Sequence, residues 1–154
     1  QLVDSNFLDL FAGSGSMGIE AISRGAKKVV FVEKAKKACD VIKKNLKNCN
    51  FTTGYHLYQD DVFNRVQLLS TQKEKFDIIY NTIDVHLFDN LKTLKNCYLY
   101  DLSTKGCLDF DKAKEQNIKA QKLPGIPGKI APVTAGKIIA QTVNQLIGEW
   151  VCKI

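Results

Sequence analysis

The sequence predicts an α/β fold with a doubly wound parallel sheet, and three observations lead to it. Short apolar runs alternate with helical patterns along the 154 residues. The runs are rich in Val, Ile, Leu, Phe and Tyr, as expected of parallel strands covered on both faces. A glycine-rich turn follows the first run and leads into a helical pattern. Because right-handed crossovers leave few other arrangements, we expect a three-layer architecture with helices on both faces of one sheet.

Six segments carry the strand pattern. They are Asn6–Phe11, Lys28–Glu33, Tyr55–Gln59, Phe76–Asn81, Cys97–Asp101 and Ile118–Lys122. Helical patterns lie at Met17–Arg24, Ala35–Asn48, Val62–Ser70, Val85–Leu94, Phe110–Gln116 and near Val133–Ile147. The expected strand order is 3-2-1-4-5-6, with the ligand crevice at the carboxyl ends of strands 1 and 4, where the winding reverses. We expect no antiparallel seventh strand, because the last pattern is helical and no hairpin signal precedes it.

The whole chain, 1–154, is predicted to form a single domain. The Pro/Gly-rich segment 123–132 is flanked closely by structured patterns, so we interpret it as a rigid loop rather than a linker. The first residues show no signal peptide and are typical of an interior piece of a longer chain. We expect a monomer.

Composition narrows the class of protein. Hydrophobic residues make up 45% and charged residues 25%, and no apolar run approaches the roughly 18 residues that span a bilayer. The five cysteines include no CxxC pair, and there are only two histidines, which argues against a zinc site. Reduced thiols in a cytoplasmic protein are the simplest interpretation.

Lysines concentrate in one part of a chain whose net charge is +6. They stand at positions 27, 28, 34, 36, 37, 43, 44 and 47. Two interpretations stay open. The cluster could contact nucleic acid, which would make RNA a partner. Alternatively it is the solvated face of one helix and its preceding turn.

Residues 7–18, Phe-Leu-Asp-Leu-Phe-Ala-Gly-Ser-Gly-Ser-Met-Gly, hold the most specific motif. Gly13, Gly15 and Gly18 match GxGxxG between a strand and a helix, and the second strand ends in Glu33, 20 residues after Gly13. That distance is expected for a carboxylate that accepts hydrogen bonds from ribose hydroxyls. The pattern is typical of Rossmann-like sites that hold an adenosine-type cofactor at a helix N-terminus.

Asp9 helps to decide which cofactor. It lies four residues before the first glycine. A carboxylate there would repel a pyrophosphate and attract the ammonium or sulfonium of S-adenosylmethionine. The sequence therefore favours S-adenosylmethionine, with NAD(P) as the alternative. A brace for the loop backbone is a compatible second role for Asp9.

The third strand ends in Gln59-Asp60-Asp61-Val62. A carboxylate here can accept from the adenine amino group, and the next backbone N–H can donate to the ring. Capping of the following helix competes for the same two aspartates, and one could serve each role. The predicted cofactor-binding residues are Asp9, Phe11, Ala12, Gly13, Ser14, Gly15, Gly18, Glu33, Lys34, Asp60, Asp61, Val62 and Asn81. No catalytic or metal-ligating residue is predicted.

From about Asn6 to Tyr80 the chain resembles the bacterial 16S ribosomal RNA guanine-N(2) methyltransferases. Residues 8–26, 29–33, 60–61 and 76–79 carry the resemblance. It implies that Asp9, the 11–15 loop, Glu33 and Asp61 bind S-adenosylmethionine, and that the parent activity is methylation of RNA.

The same family continues strand 4 with Asp-Pro-Pro-Tyr, which positions and stacks the guanine. Here the corresponding residues are Thr82-Ile83-Asp84-Val85. The amine acceptor and the stacking platform are both missing, so we expect no turnover. Asp84 is expected to cap the next helix.

From roughly Phe76 to Gln145 the chain resembles the carboxyl-terminal half of the dipicolinate synthase A chain, which has a nicotinamide-cofactor domain. Residues 81–83, 100–103 and 124–136 carry this resemblance. Two half-resemblances that meet in strand 4 predict an engineered or recombined chimera of residues 1–80 and 81–154. We favour an S-adenosylmethionine-binding module without turnover. An NAD(P)-binding module and an active ribosomal RNA methyltransferase are the alternatives.

Overall fold

A computed structural model describes residues 2–88 and 94–123. Within them six parallel strands form one sheet in the order β3-β2-β1-β4-β5-β6. The strands are β1 (Asn6–Leu10), β2 (Lys28–Glu33), β3 (Tyr55–Gln59), β4 (Ile78–Asn81), β5 (Tyr98–Asp101) and β6 (Lys119–Lys122). The helices are α1 (Ser16–Ser23), α2 (Lys36–Asn48), α3 (Val62–Thr71) and α4 (Phe110–Glu115). The predicted architecture and strand order are confirmed, and no antiparallel strand joins the sheet among these residues.

The sheet separates two hydrophobic cores, because successive side chains of a strand point to opposite faces. On one face Phe7, Val29 and Phe31 pack with Ile42 and Leu46 of α2. The opposite face forms a second core. Its members from the strands and from α3 and α4 include Leu8, Leu10, Val30, Val32, Leu69, Ile79 and Ala113. Both faces are therefore covered, as the apolar strand composition predicts.

Local sequence explains where the helices lie. Cys39, Ile42 and Leu46 follow the three- and four-residue spacing of one helix face, and all three are buried under α2. Two helices begin at aspartate caps: Asp61 accepts the N–H of Phe63 before α3, and Asp109 accepts the N–H of Lys112 before α4. None of the described helices has the length and apolarity needed to cross a membrane.

One predicted helix is wrong over its described part. Residues 85–88 of the expected Val85–Leu94 helix are not helical. Instead the Leu87 N–H donates to the carbonyl of Cys107, 2.8 Å away, and the Val85 N–H donates to that of Ile83. The N–H of Leu87 is thus bonded to a distant segment instead of to a preceding helical turn. The predicted helix near 133–147 and almost all of the predicted rigid loop at 123–132 lie outside the described residues.

Candidate functional site

The turn after β1 has an unusual backbone. Phe11, Gly13 and Gly15 all have positive φ, at 55°, 56° and 74°. The glycines adopt this region readily, whereas a bulky residue such as Phe11 is an outlier there. A Cβ on Gly15 would also approach Cγ1 of Ile42 in α2 to 3.0 Å. The turn therefore requires glycine at position 15, and its strained Phe11 is the kind of feature that clusters at functional sites.

Neighbouring elements hold this turn in place. The Ala12 N–H donates to the Val32 carbonyl of β2 at 3.1 Å, and the Gly15 N–H donates back to Ala12 at 2.7 Å. From α2, Nδ2 of Asn45 donates to the carbonyl of Ser14 at 3.0 Å. The turn is thus pre-formed, and Asn45 is a contributor that sequence reasoning missed because it belongs to another element.

Asp9 lies beneath the start of α1. Its Oδ2 accepts the N–H of Gly18 at 3.0 Å, and the residue is only 2% exposed. Burial raises the pKa of Asp9 to about 7; the Gly18 hydrogen bond lowers it and the charge of Glu33 adds to the rise. Asp9 therefore holds the backbone of α1, whereas the brace predicted from the sequence was for the loop backbone.

Gly18 is required by packing. A Cβ at this position would stand 2.2 Å from Cε1 of Phe31, a fully buried residue of β2. The third glycine of the motif thus allows α1 to approach the sheet closely enough for its N–H to reach Asp9.

Glu33 closes the glycine turn from the end of β2. Its Oε2 accepts the N–H of Gly13 at 2.9 Å, and its Oε1 accepts the N–H of Ala35 at 2.8 Å. Gly13 and Gly18 therefore both direct their N–H groups at carboxylates. A pyrophosphate needs such donors free and meets two carboxylates here, so the geometry disfavours a dinucleotide.

The two aspartates after β3 have different contacts. Asp61 caps α3 with its Oδ1, while its Oδ2 faces Nζ of Lys34 at 3.3 Å. The hydrogen bond from Lys34 holds the pKa of Asp61 below its usual range. The structure therefore assigns the capping role, left open by the sequence, to Asp61, and it joins the ends of β2 and β3 through Lys34.

Asp60 is held by an arginine one turn into α3. Nη2 of Arg65 lies 2.7 Å from its Oδ2, and its Oδ1 accepts the N–H of Asp61. The guanidinium carbon of Arg65 also stands 3.9 Å above the ring of Tyr58. Val62, the next predicted site residue, is buried, and its side chain belongs to the core that contains Leu8 and Leu69. Arg65 was not predicted, because the sequence does not show which of the two aspartates its side chain reaches.

Asn81 faces away from Asp9. It alternates with Tyr80, the register partner of Asp9, so it lies on the other face of the sheet. It is fully buried, and its Nδ2 donates to Oδ1 of Asp101 at 2.9 Å and to the carbonyl of Ile83 at 2.8 Å. The structure thus brings Asp9, the 11–15 turn and Glu33 together and places Asn81 with β5.

A hydroxyl beside Asp9 has no partner among the described residues. Tyr80 is 1% exposed and its hydroxyl oxygen is buried without a hydrogen bond there. Burial, together with the nearby Asp9 charge, raises the pKa of Tyr80. No sequence pattern marks this residue, because its position follows only from the β1–β4 register.

The end of β4 is tied to the end of β5. Asp84 accepts hydrogen bonds from Oγ1 of Thr104 and, at 2.6 Å, from the N–H of Lys105. These bonds, that from Thr104 first, hold the pKa of Asp84 below its usual range. The expected helix cap at Asp84 is therefore wrong, because residues 85–88 form no helix and the carboxylate joins two loops instead.

Other features of the described residues lie apart from the carboxyl edge of β1, β2 and β3. A cavity of about 870 Å³ lies between α3 and residues 94–97, and none of the predicted site residues lines it. Within residues 2–88 and 94–123 the four cysteines, at positions 39, 49, 97 and 107, are free. No group of three His, Cys, Asp or Glu side chains among residues 2–88 and 94–123 is placed to hold a metal.

Comparison with known proteins identifies the family. The model of the family described as conserved hypothetical protein 95 matches residues 1–109, well over half of the chain. The chain belongs to this family.

Individual relatives come from two classes of enzyme. The putative rRNA methyltransferase YlbH of Bacillus subtilis is 48% identical over 54 residues, or 35% of this chain. The dipicolinate synthase A chain of the same organism is 36% identical over 85 residues, or 53% of this chain. The chain spans 29% of the length of each. A putative methyltransferase structure from Streptococcus mutans superposes with a TM-score of 0.58 at 16% identity, covering 75% of this chain and 35% of that one, which shows the shared fold.

Proposed function

We propose that this chain forms a domain of the methyltransferase kind that binds S-adenosylmethionine at the carboxyl edge of β1, β2 and β3. One observation carries the proposal. The N–H groups of Gly13 and Gly18 both meet carboxylates, those of Glu33 and Asp9. The edge therefore offers acceptors and negative charge, which suit a cationic amino acid moiety and ribose hydroxyls and oppose a pyrophosphate.

The residues present fit each part of that cofactor. Asp9 would attract the ammonium group, and Glu33 has lone pairs left for ribose hydroxyls after accepting from Gly13 and Ala35. Asp61 and the Val62 N–H are the candidates for the adenine, because the Arg65 pair of Asp60 is shorter and less exposed than the Lys34 pair of Asp61. When bound, S-adenosylmethionine supplies a methyl group activated by its sulfonium.

We further propose that the protein does not catalyse methyl transfer. Where the methyltransferases that the sequence resembles carry Asp-Pro-Pro-Tyr, this chain has Thr82, Ile83, Asp84 and Val85. Asp84, the carboxylate of this segment, accepts hydrogen bonds from Thr104 and Lys105. It is therefore engaged in holding two loops together and is poorly placed to accept a hydrogen bond from a substrate amine.

The chimeric origin, with halves 1–80 and 81–154, also stands as a proposal. Its support is the occurrence of both an rRNA methyltransferase and a dipicolinate synthase among the relatives. The pairing of β4 with β5 is regular from Ile78–Tyr98 to Asn81–Asp101, so the two parts would share one continuous sheet. The match to the family model counts against a junction after residue 80, because it runs past β4 to residue 109.

NAD(P) binding is the second candidate function. It is favoured by the GxGxxG pattern and by the relationship to the dipicolinate synthase A chain. The carboxylates that face Gly13 and Gly18 weigh against it.

Calorimetric titration with S-adenosylmethionine, S-adenosylhomocysteine, NAD and NADP separates these functions. We expect the first two to bind and Asp9→Asn to weaken S-adenosylmethionine by roughly tenfold, the loss of one charge-assisted contact. Asp40→Asn, an exposed Asp on α2, is the matched control and should bind normally. Binding of the nicotinamide cofactors alone, or of none of the four, contradicts the proposal. Methyl transfer to a ribosomal RNA fragment would overturn the claim of no turnover.

A further inference from the structure

The outer side of α2 carries five exposed lysines in one stripe. They are Lys36, Lys37, Lys43, Lys44 and Lys47, and we name them the α2 lysine face. At about 100° per residue these positions fall within an arc of about 120°. The buried side chains of Cys39, Ile42 and Leu46 lie on the other side of the helix, against the sheet. The lysines therefore project together into solvent.

Little negative charge balances this face. Asp40 is the acidic residue inside the arc, and its Oδ1 is 4.0 Å from Nζ of Lys43, with both side chains largely exposed. Such a pair is weak in water. Lys34, just before the helix, is paired with Asp61 at 3.3 Å and is therefore left out of this face. The face keeps most of its charge.

Two of the lysines stand where a helix disfavours them. Lys36 and Lys37 occupy the first turn of α2, at the positive end of the helix dipole. That turn has no acidic residue, and the N-cap residue Ala35 makes no side-chain cap. Cations here reduce helix stability. The Glu33 carboxylate accepts the Ala35 N–H at 2.8 Å and offsets part of this repulsion, and an anionic partner would relieve more of it. The arrangement is unfavourable for a helix that faces only water.

We propose that the α2 lysine face binds the phosphate backbone of RNA. The choice of RNA rests on the proposed relationship to rRNA methyltransferases, while the surface itself is assigned from charge and geometry. The face extends about 16 Å along the helix, on the order of five phosphate spacings of one nucleic-acid strand. Since α2 follows directly after Glu33, RNA on this face would run beside the proposed cofactor edge.

An anionic membrane fits the same face poorly. A basic amphipathic helix binds a bilayer by inserting its apolar side. Here Ile42 and Leu46 are fully buried against the sheet and cannot insert without unfolding. The face offers charge alone, as contacts to a phosphate backbone require.

Fluorescence anisotropy with a labelled 20-nucleotide RNA tests the proposal. The test variant changes Lys36, Lys37, Lys43 and Lys44 to Gln. The matched control changes four exposed lysines outside α2, at positions 73, 75, 112 and 114, to Gln. At 50 mM salt we expect at least a tenfold loss of RNA affinity in the test variant and less than a twofold loss in the control. The slope of log affinity against log salt should fall by about 2–3 in the test variant, since each lost single-strand contact removes about 0.7.

Four results would overturn the proposal: no RNA binding by the natural sequence, equal losses in both variants, tighter binding to DNA of the same sequence, or tighter binding to anionic vesicles. Calorimetry with S-adenosylmethionine on the same variants distinguishes this failure from that of the proposed function. The test variant should keep its cofactor affinity, because none of its four lysines belongs to the proposed cofactor contacts.

Discussion

Replacing Asp9 with Asn should change how the stability of this protein depends on pH. Burial raises the pKa of Asp9 to about 7 in the folded protein. In the unfolded chain the carboxyl has its ordinary pKa of 3.8. The folded state therefore holds the proton more tightly than the unfolded state. The stability contributed by this group is fully present below about pH 4 and is lost as the pH rises through about 7.

The size of the effect follows from the same pKa values. A rise from 3.8 to about 7 corresponds to about 4 kcal/mol in the free energy of unfolding. Asn keeps an acceptor for the Gly18 N–H but carries no charge at any pH. Relative to Asp9→Asn, the free energy of unfolding of the natural protein should fall by about 4 kcal/mol between pH 4 and pH 8. Above pH 7 the variant should be the more stable of the two.

Urea unfolding followed by circular dichroism, from pH 4 to pH 8.5, measures this difference. Comparing the two proteins at each pH cancels the contributions of Asp61, Asp84, Asp101 and Asp109, whose lowered pKa values act in the opposite sense. Asp40→Asn, which removes an exposed carboxylate of α2, is the control for the substitution itself. Parallel stability curves for Asp9→Asn and the natural protein would refute the reasoning. Addition of S-adenosylmethionine at pH 8 should stabilise the natural protein more than Asp9→Asn, because the bound ammonium would offset the buried charge.

Three further changes test the packing and the loop contacts. Gly18→Ala should lower the free energy of unfolding by about 1–2 kcal/mol, because the clash with Phe31 outweighs the gain in helix propensity. Adding Phe31→Leu to this variant should recover part of the loss, as measured by urea unfolding. An unchanged free energy of unfolding in Gly18→Ala would contradict the packing. Tyr80→Phe should raise the free energy of unfolding by about 1 kcal/mol, because the substitution removes a buried hydroxyl without a partner among the described residues. A lower free energy of unfolding in this variant would show that the hydroxyl is hydrogen-bonded. Asp84→Asn should speed amide hydrogen exchange at Lys105 and leave Leu8 in β1 unchanged; equal exchange in both proteins would exclude the loop tie.

Most element positions were predictable from the sequence. Strand bounds agree to within two residues because each apolar run ends at a polar or turn-forming residue, and the runs are short enough to leave little choice. The exception is residues 85–88. Their apolar pattern reads as helical, but the hydrogen bond from Leu87 to Cys107 and the burial of Phe88 depend on a segment about twenty residues away. Local pattern carries no information about that partner.

The candidate site was predictable in part for the same reason. Asp9, the glycine turn and Glu33 follow one another at fixed spacing in a single strand-turn-helix-strand unit, so their proximity is a local property of the chain. The division of roles between Asp60 and Asp61 depended on Arg65 in α3 and on Lys34 in the loop after β2. Asn81 shows the limit, since strand alternation turned its side chain toward Asp101 and away from the face of Asp9.

By itself the sequence determined the fold class, the strand order and the presence of a carboxylate-lined glycine turn, because periodicity and spacing act through neighbours along the chain. Only the tertiary structure decided which groups those carboxylates hold, that Asp9 is buried deeply enough to shift its pKa, and that Asp84 joins two loops. Burial and long-range hydrogen bonds arise from residues that meet across strands. The same packing buried the apolar side of α2 and left its lysines as one continuous surface.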